Sequence, residues 1–384
     1  MIYDHRMPNR ANKTPRRRGH SHSVPVLAGG VPALLLLAVA AACDPALSPV
    51  NPEPVQNARA LPDDFHRGIN LEPIGDYGGL LDEREIDGTL EELVALGVDH
   101  VAVIPSFFQR RLGETDFYWE PSREAVDDQT RRVVQQAHEL DLAVLLKPHL
   151  WLAEKDDGAW RGDIAPTPDG WPEWSENYRR ALLHYAALGE ELGVAAISIG
   201  SELTGVALGH PEFWPALAEE MRKTYRGSLT YAANWDREFE AISWWGALDY
   251  AGVDAFWPLV DRIDETLTPA ACVSRMTEIR GRLERVAARV GRPVLLTEIG
   301  YKSAMGAAFR PWEWHEERAA DPDIQALIYR CIRDAFGAEP APHIGGVYFW
   351  IWYTSPAWGG LRNSDFTPRG KPAEGVLAGW YGAR

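Results

Sequence analysis

Short apolar runs alternate with amphipathic runs from residue 65 almost to the C-terminus. The apolar runs are uniformly hydrophobic, which is typical of parallel strands that are covered on both faces. This pattern predicts eight strands, at residues 67–71, 98–105, 143–148, 195–201, 229–233, 250–255, 294–297 and 346–350. The runs between them have helical periodicity and predict helices at residues 83–96, 123–140, 174–192, 212–225, 238–246, 269–290, 322–336 and 372–380.

Alternating strands and helices are typical of an α/β fold with a parallel sheet. Eight such units fit a (β/α)8 TIM barrel with insertions, whose usual core is about 250 residues. A doubly wound open sheet is the alternative, but no glycine-rich dinucleotide or phosphate motif follows the first predicted strand. We therefore expect one (β/α)8 barrel domain at residues 63–384.

The segment before the barrel has the pattern of a secretory signal. Residues 1–43 contain six basic residues and one acidic residue, with an apolar run at 31–42 that is too short for a comfortable membrane span. The run ends in Ala-Ala-Ala-Cys43, which resembles a bacterial lipoprotein processing site with Cys43 as the lipidated residue. An ordinary cleavage site beside a chance cysteine is the alternative. Five prolines in residues 44–62 predict an extended linker.

The net charge of the chain limits the kinds of molecule that it is expected to bind. The chain has a formal net charge of −16, and because the signal segment is basic, the remainder is more acidic still. Nucleic acid is not an expected partner, because neutralising phosphates needs clustered Lys and Arg. Membrane contact is expected only through a lipid at Cys43, at the cell surface or in the periplasm, with secretion as the alternative. The sequence leaves the oligomeric state open.

Two further cysteines, Cys272 and Cys331, fall in helical patterns. We expect both to be buried thiols. A disulfide stays open, because an exported protein meets oxidising conditions.

Two apolar strands run directly into a glutamate. Residues 195–203 read Ala-Ala-Ile-Ser-Ile-Gly-Ser-Glu-Leu and carry Glu202, and residues 293–301 read Pro-Val-Leu-Leu-Thr-Glu-Ile-Gly-Tyr and carry Glu298. These are the fourth and seventh strands, whose ends face each other across the barrel mouth, where such barrels build their active sites. Glycoside hydrolysis needs such a pair of carboxylates. Either glutamate could instead be an ion-pair partner of a neighbouring Lys or Arg.

Most of the sixteen tryptophans lie at or just beyond the predicted strand ends, at positions 119, 151, 160, 171, 174, 235, 257, 312, 314, 350, 352 and 358. Indole rings stack on the apolar faces of sugar rings, while Asn, His and carboxylate side chains bind the hydroxyl groups. The pattern predicts a carbohydrate site, although each individual tryptophan can equally pack beneath a loop.

Other chemistries lack their motifs. No HExxH sequence occurs, and no Cys/His cluster has the spacing of metal ligands. We expect neither a metal nor a cofactor.

The strand-end motifs resemble those of clan A retaining glycoside hydrolases, and most closely glycoside hydrolase family 113, the β-mannanase-like barrels. The resemblance extends over residues 65–381 and rests on Val-Ala-Val-Ile-Pro-Ser-Phe-Phe at 101–108, Leu-Leu-Lys-Pro-His at 145–149, Trp-Arg-Gly-Asp-Ile at 160–164, Ile-Gly-Ser-Glu-Leu at 199–203, Asp-Ala-Phe-Trp-Pro-Leu at 254–259 and Thr-Glu-Ile-Gly-Tyr at 297–301.

The resemblance implies roles for the two glutamates. Glu202 would be the general acid/base and Glu298 the nucleophile that forms a glycosyl-enzyme intermediate. Double displacement gives net retention and places the two carboxyl groups about 5–5.5 Å apart. The implied substrate is mannan or a manno-oligosaccharide with β-1,4 linkages.

Substrate contacts are expected from the residues that follow the strands, namely Lys147, His149, Trp151, Arg161, Ser201, Asn234, Trp235, Trp257, Tyr301, Trp350 and Trp352. Two positions depart from the clan pattern. Ser201 stands where Asn usually precedes the acid/base, and Phe256 stands where a tyrosine often lies near the nucleophile. Tyr301 is a candidate to replace that tyrosine.

Two alternatives to a mannan hydrolase remain at this stage. One is a retaining hydrolase of another β-linked glycan. The other is a carbohydrate-binding lipoprotein without catalysis, which the two retained glutamates disfavour, because a pure binder has no use for a carboxylate pair.

Lipidation at Cys43 predicts that the Cys43→Ala variant moves from the membrane fraction to the soluble fraction, because it loses the acylated residue. Cell fractionation and immunoblotting of both forms measures the change. An unchanged distribution would contradict the lipoprotein interpretation.

Overall fold

The computed structural model describes residue 51 and residues 61–62, 64–76, 79–154, 158–313, 316–337 and 343–382. The predicted signal segment, Cys43, most of the predicted linker and Trp314 lie outside these residues. Within the described part of the chain, no helix is both long and apolar enough to cross a membrane.

Eight parallel strands close into a barrel, with the first strand paired to the last. The strands of the described residues are β1 His66–Leu71, β2 His100–Val103, β3 Ser106–Gln109, β4 Phe117–Tyr118, β5 Ala143–Leu146, β6 His149–Leu152, β7 Ala196–Ser201, β8 Ser228–Asn234, β9 Ala251–Ala255, β10 Val294–Ile299 and β11 Ile344–Trp352. The barrel order is β1-β2-β5-β7-β8-β9-β10-β11. All eight predicted strands therefore match barrel strands, and the predicted (β/α)8 fold is confirmed.

A second, three-stranded sheet in the order β4-β3-β6 was not predicted. Pro105 separates β2 from β3 and Pro148 separates β5 from β6. Proline has no N–H to donate, so the barrel ladder is interrupted at both points. Beyond the two prolines the chains pair again, with Ser106 opposite His149. The second sheet therefore begins directly after the runs that were predicted as strands at 98–105 and 143–148.

Helices follow the barrel strands. They are α1 Glu83–Ala95, α2 Arg123–Glu139, α3 Trp171–Leu192, α4 Thr204–Gly209, α5 Phe213–Met221, α6 Glu238–Ala241, α7 Pro269–Val290, α8 Pro322–Gly337 and α9 Pro372–Tyr381. The prediction for residues 238–246 was too long, because α6 is one turn and a separate 3₁₀ turn forms at Trp245–Ala247. The α5 prediction, 212–225, was also too long, and α4 was missed.

Aromatic and apolar side chains occupy the N-terminal half of the barrel. The rings of His66 and His100 stack with centroids 3.9 Å apart, and the His66 ring is hydrogen-bonded to the Tyr348 hydroxyl at 2.9 Å. Burial, with His100 nearby, lowers the pKa of His66 to about 3, so this ring is neutral. Ala102, Leu145, Ala196 and Tyr348 form a separate buried cluster. The charged site described below lies at the opposite ends of the strands.

The structure joins Cys272 of α7 to Cys331 of α8 by a disulfide, with Cα atoms 6.0 Å apart. The expectation of two buried thiols was therefore wrong. Both cysteines do lie in helices, as their sequence pattern indicated, but only the packing of α7 against α8 brings them together. The bond closes a loop with a sequence separation of 59 residues.

Cross-linking over this separation stabilises the fold by about 4 kcal/mol through the lower entropy of the unfolded chain. We expect the Cys272→Ser/Cys331→Ser variant to lose about that free energy of unfolding and to be insensitive to reductant, whereas the parent chain loses stability on reduction. Guanidinium titrations of both proteins, with and without dithiothreitol, measure this. Two free thiols in unreduced, denatured parent protein would contradict the pairing.

Candidate active site

Glu202 lies directly after β7 in a left-handed backbone conformation, with φ of 53°. Such a conformation costs a non-glycine residue about 1–2 kcal/mol and persists where neighbouring contacts enforce it. Here the Glu202 amide donates to the carbonyl of Ala232 on β8 at 2.8 Å. The side chain is only 2% exposed. The backbone hydrogen bond to Ala232 and the burial of the residue therefore both fix the position of Glu202.

Both carboxylate oxygens of Glu202 accept hydrogen bonds. Arg161 donates from Nε at 3.2 Å and from Nη2 at 2.5 Å to Oε2, and Asn234 donates from Nδ2 at 2.8 Å to Oε1. The guanidinium of Arg161 also lies 4.3 Å from the ring centroid of Trp151. Arg161 and Asn234 therefore contact the predicted acid/base, and their contact with a substrate stays a prediction.

Glu298 lies near the end of β10, where the pairing register with β9 shifts between Leu296 and Glu298. Its Oε1 accepts a hydrogen bond from Lys147 Nζ at 2.5 Å. The His149 Nε2 atom lies 3.7 Å from the same oxygen. Lys147 and His149 flank Pro148 between β5 and β6, and both side chains lie beside the same carboxylate oxygen.

Asp254, at the end of β9, links the two glutamates to one another. It is fully buried. Its Oδ1 accepts from Lys147 at 3.1 Å and from the Thr297 hydroxyl at 2.8 Å, and its Oδ2 accepts from the Ser201 hydroxyl at 2.9 Å. Ser201 and Thr297 immediately precede Glu202 and Glu298. Asp254 therefore holds the residue before each glutamate.

A second connection runs through His149. Arg161 Nη1 lies 3.3 Å from His149 Nδ1. Because a guanidinium only donates, Nδ1 is the acceptor and the imidazole proton lies on Nε2, which faces Glu298. The two glutamates thus belong to one continuous polar network across the barrel mouth.

Burial shapes the charge of both glutamates. Removal from water raises the pKa of Glu298, the nearby Asp254 raises it further, and the Lys147 ammonium opposes both effects. Burial also raises the pKa of Glu202, while Arg161 opposes this rise. The two carboxyl groups therefore have different cations as their main counter-charges.

The residues at and near the two departures from the clan pattern make other contacts in the structure. The Tyr301 hydroxyl donates to the backbone carbonyl of Trp257 at 2.8 Å, and Lys147 is the group bound to Glu298. Ser201 binds Asp254. Phe256 is buried and packs edge-to-face against Phe366. In this structure Tyr301 therefore does not take the place of the missing tyrosine.

Several of the predicted tryptophans contact one another or His149. Trp235 stacks on Trp312 with centroids 4.9 Å apart and meets Trp257 edge-on, and Trp350 lies parallel to His149 at 6.3 Å. These four belong to the same buried core as Trp174, which is fully buried on α3 and donates to Gln109 at 2.9 Å.

The indole N–H groups of Trp235, Trp257 and Trp352 are buried without a hydrogen-bond partner among the described residues. Their contact with a substrate stays a prediction.

Sequence reasoning missed two buried carboxylates near the pair, Asp254 and Glu238. An acidic residue inside the apolar run 250–255 was a usable signal for Asp254, because an unpaired charge is rarely buried there. Glu238 offered no such signal, because it begins a helix, where acidic residues are common. Among the described residues, no group of three or more His, Cys, Asp and Glu side chains is placed to hold a metal ion.

The chain was compared with known protein families. Glycoside Hydrolase Family 113 matches residues 75–371. No curated protein gives a significant match.

Solved structures share the barrel. A family 113 β-1,4-mannanase, solved as a complex, has a TM-score of 0.71 and 23% identity, over 83% of this chain and 99% of that one. The family 113 β-mannanase of Alicyclobacillus acidocaldarius, solved with ManMIm, has a TM-score of 0.70 and 25% identity, over 83% and 97%. A GH5_18 protein of Streptomyces cattleya, solved with GlcNAc, has a TM-score of 0.53 and 15% identity, over 82% and 79%.

The family match extends from the loop after β1 to the residue before α9 and includes both strand-end glutamates. The protein is therefore a glycoside hydrolase, and the chain belongs to glycoside hydrolase family 113.

Proposed function

We propose that this hydrolase cleaves β-1,4-mannosidic linkages in mannan or manno-oligosaccharides with net retention. The observation that carries the proposal is the pair Glu202 and Glu298, held in one network but paired with different cations. Two carboxyl groups with separate environments suit the two roles in double displacement. The family 113 structures named above are β-mannanases, which supports mannan as the substrate.

Glu298 is the proposed nucleophile. Its Oε1 is bound by Lys147, which favours the ionised form that attack requires. Its Oε2 accepts no hydrogen bond from a described residue, so this oxygen is the one left to bond with the anomeric carbon.

Glu202 is the proposed acid/base. In the first step it gives its proton to the glycosidic oxygen while Glu298 attacks the anomeric carbon and the bond to the leaving sugar breaks. In the second step it takes a proton from water, whose oxygen displaces Glu298. Burial favours the neutral acid of the first step, and Arg161 favours the carboxylate of the second.

The location of the protein is part of the proposal. The basic and apolar N-terminal segment and Cys43 support export followed by lipid anchoring in the cell envelope. An enzyme placed there meets glycans outside the cytoplasm.

The proposal predicts reducing-sugar release from β-mannan and glucomannan, with little from xylan or β-glucan. Glu298→Ala is expected to lower kcat on mannan by about 10⁴-fold or more, because the nucleophile is lost. Glu191→Ala, at an exposed glutamate of α3, is the matched control. Release from a different β-glycan would refute mannan as the substrate, and release that survives in Glu298→Ala would refute the nucleophile.

The anomeric outcome is read in the same assay. Proton NMR during early hydrolysis is expected to show the β-anomer first, because two displacements restore the configuration. An initial α-anomer would refute double displacement.

Glu298 and Glu202 have different cations beside them, so removing each cation is expected to shift a different limb of the pH–activity profile. Removing a cation beside a buried carboxyl raises its pKa by about 1–3 units. Lys147→Met is therefore expected to move the acidic limb of kcat/KM to higher pH, because Glu298 must be ionised. Arg161→Met is expected to move the alkaline limb to higher pH, because Glu202 then keeps its proton longer.

Hydrolysis of an aryl β-mannoside from pH 4 to 10 measures both limbs, with Arg131→Met on α2 as the control. If the two variants moved the opposite limbs, the assignments of nucleophile and acid/base would be exchanged.

A further inference from the structure

Glu238 is a buried carboxylate that the proposed reaction does not use. It begins α6 and is fully buried. Its Oε1 accepts from the Tyr231 hydroxyl at 2.6 Å. Its Oε2 accepts from the Asn234 backbone N–H at 2.7 Å and from the Thr204 hydroxyl at 2.9 Å. Three donors, two from β8 and one from the start of α4, thus converge on one side chain.

Two of these donors control the backbone after Glu202. The Tyr231 hydroxyl oxygen accepts the Leu203 N–H at 2.8 Å, so Tyr231 connects Glu238 to the residue that follows Glu202. Thr204, the next residue, begins α4 and binds Glu238 directly. Since Glu202 has a left-handed φ of 53°, these contacts help to hold the turn in which it lies.

The third donor controls the side chain of Glu202. Asn234 is held by Glu238 through its backbone N–H, and its Nδ2 donates to Glu202 Oε1 at 2.8 Å. The same carboxylate therefore fixes both the backbone that follows Glu202 and the amide that orients its carboxyl group.

A structural role alone does not require a carboxylate. Burying an ionised group costs several kcal/mol unless it is fully paired, and an apolar residue fills the same space without that cost. Among the described residues, no Lys or Arg is hydrogen-bonded to Glu238, and its partners are a backbone N–H and two hydroxyls. Asn234 also donates to Glu202 itself, Tyr231 accepts from the next residue, and Thr204 lies two residues after Glu202.

We propose that Glu238 is a positioning residue that aims the carboxyl group of Glu202 at the glycosidic oxygen. The inference rests on the proposed acid/base role of Glu202. It concerns proton transfer alone, since Glu238 makes no contact with Glu298 or its Lys147 partner among the described hydrogen bonds.

Leaving-group dependence tests this role. A dinitrophenolate leaves without protonation, whereas a sugar or methylumbelliferone needs a well-placed acid. Values of kcat/KM report the glycosylation step, so a misplaced acid lowers them only for the poorer leaving group. A general fault in folding or in the nucleophile lowers them for both.

The experiment compares 2,4-dinitrophenyl and 4-methylumbelliferyl β-mannobiosides with the full chain and its Glu238→Gln, Tyr231→Phe and Thr204→Val variants. For Glu238→Gln we expect about a 10²-fold fall in kcat/KM with the methylumbelliferyl substrate and less than about a 3-fold fall with the dinitrophenyl substrate. Tyr231→Phe and Thr204→Val are expected to show smaller losses in the same direction. Glu202→Ala, which removes the proposed acid, is expected to show the largest difference between the two substrates.

Tyr329→Phe and Thr230→Val are the matched controls. Both are buried. Among the described residues, the Tyr329 hydroxyl has no hydrogen-bond partner, and the Thr230 hydroxyl donates to the Tyr250 carbonyl. We expect neither to discriminate between the substrates. If Glu238→Gln does not fold, Tyr231→Phe carries the test, since it removes a single hydroxyl.

Equal losses on both substrates, or no loss, would overturn the positioning role. A parent enzyme that is inactive on both mannobiosides would instead overturn the proposed substrate. The two failures are therefore distinguishable.

Discussion

Two cations and three carboxylates share the buried mouth of the barrel. Lys147 and Arg161 face Glu202, Asp254 and Glu298, and all five side chains are almost entirely removed from water. Left unpaired, each ion would cost roughly several kcal/mol, so the arrangement holds only while every contact is made. When Glu202 carries the proton of the proposed first step, two carboxylates balance the two cations, and the set gains one negative charge as that proton leaves. That gain of negative charge stabilises the positive charge that develops on the sugar during glycoside cleavage.

Barrel closure makes this network possible. Its members come from the ends of β5, β7, β9 and β10 and from the turn that holds Arg161, so no local segment contains two opposite partners. Lys147 and His149 flank Pro148 between β5 and β6, and both side chains reach Glu298. The second sheet begins at the same point. The break in strand pairing at Pro148 therefore lies beside the candidate site and also marks the start of the second sheet.

Two positions of the site depart from the clan pattern. Ser201 stands where an asparagine was expected and is bound to Asp254, and Lys147 rather than a tyrosine hydroxyl is hydrogen-bonded to Glu298. Glu238 and Asn234 supply the orientation of Glu202 from α6 and β8. A tyrosine hydroxyl is neutral, whereas an ammonium adds a full charge beside the proposed nucleophile. The pH profile of this enzyme therefore depends on buried ion pairs.

The sequence by itself determined the strands, the barrel and the two strand-end glutamates, because apolar runs and the residues that end them are local patterns. Only the tertiary structure decided which groups meet. The pairing of Cys272 with Cys331, the ion pair of Arg161 with Glu202 and the hydrogen bond from Trp174 to Gln109 join residues far apart in the chain. No periodicity encodes such contacts. They follow from helix packing and barrel closure, which place side chains together only once the whole domain has folded.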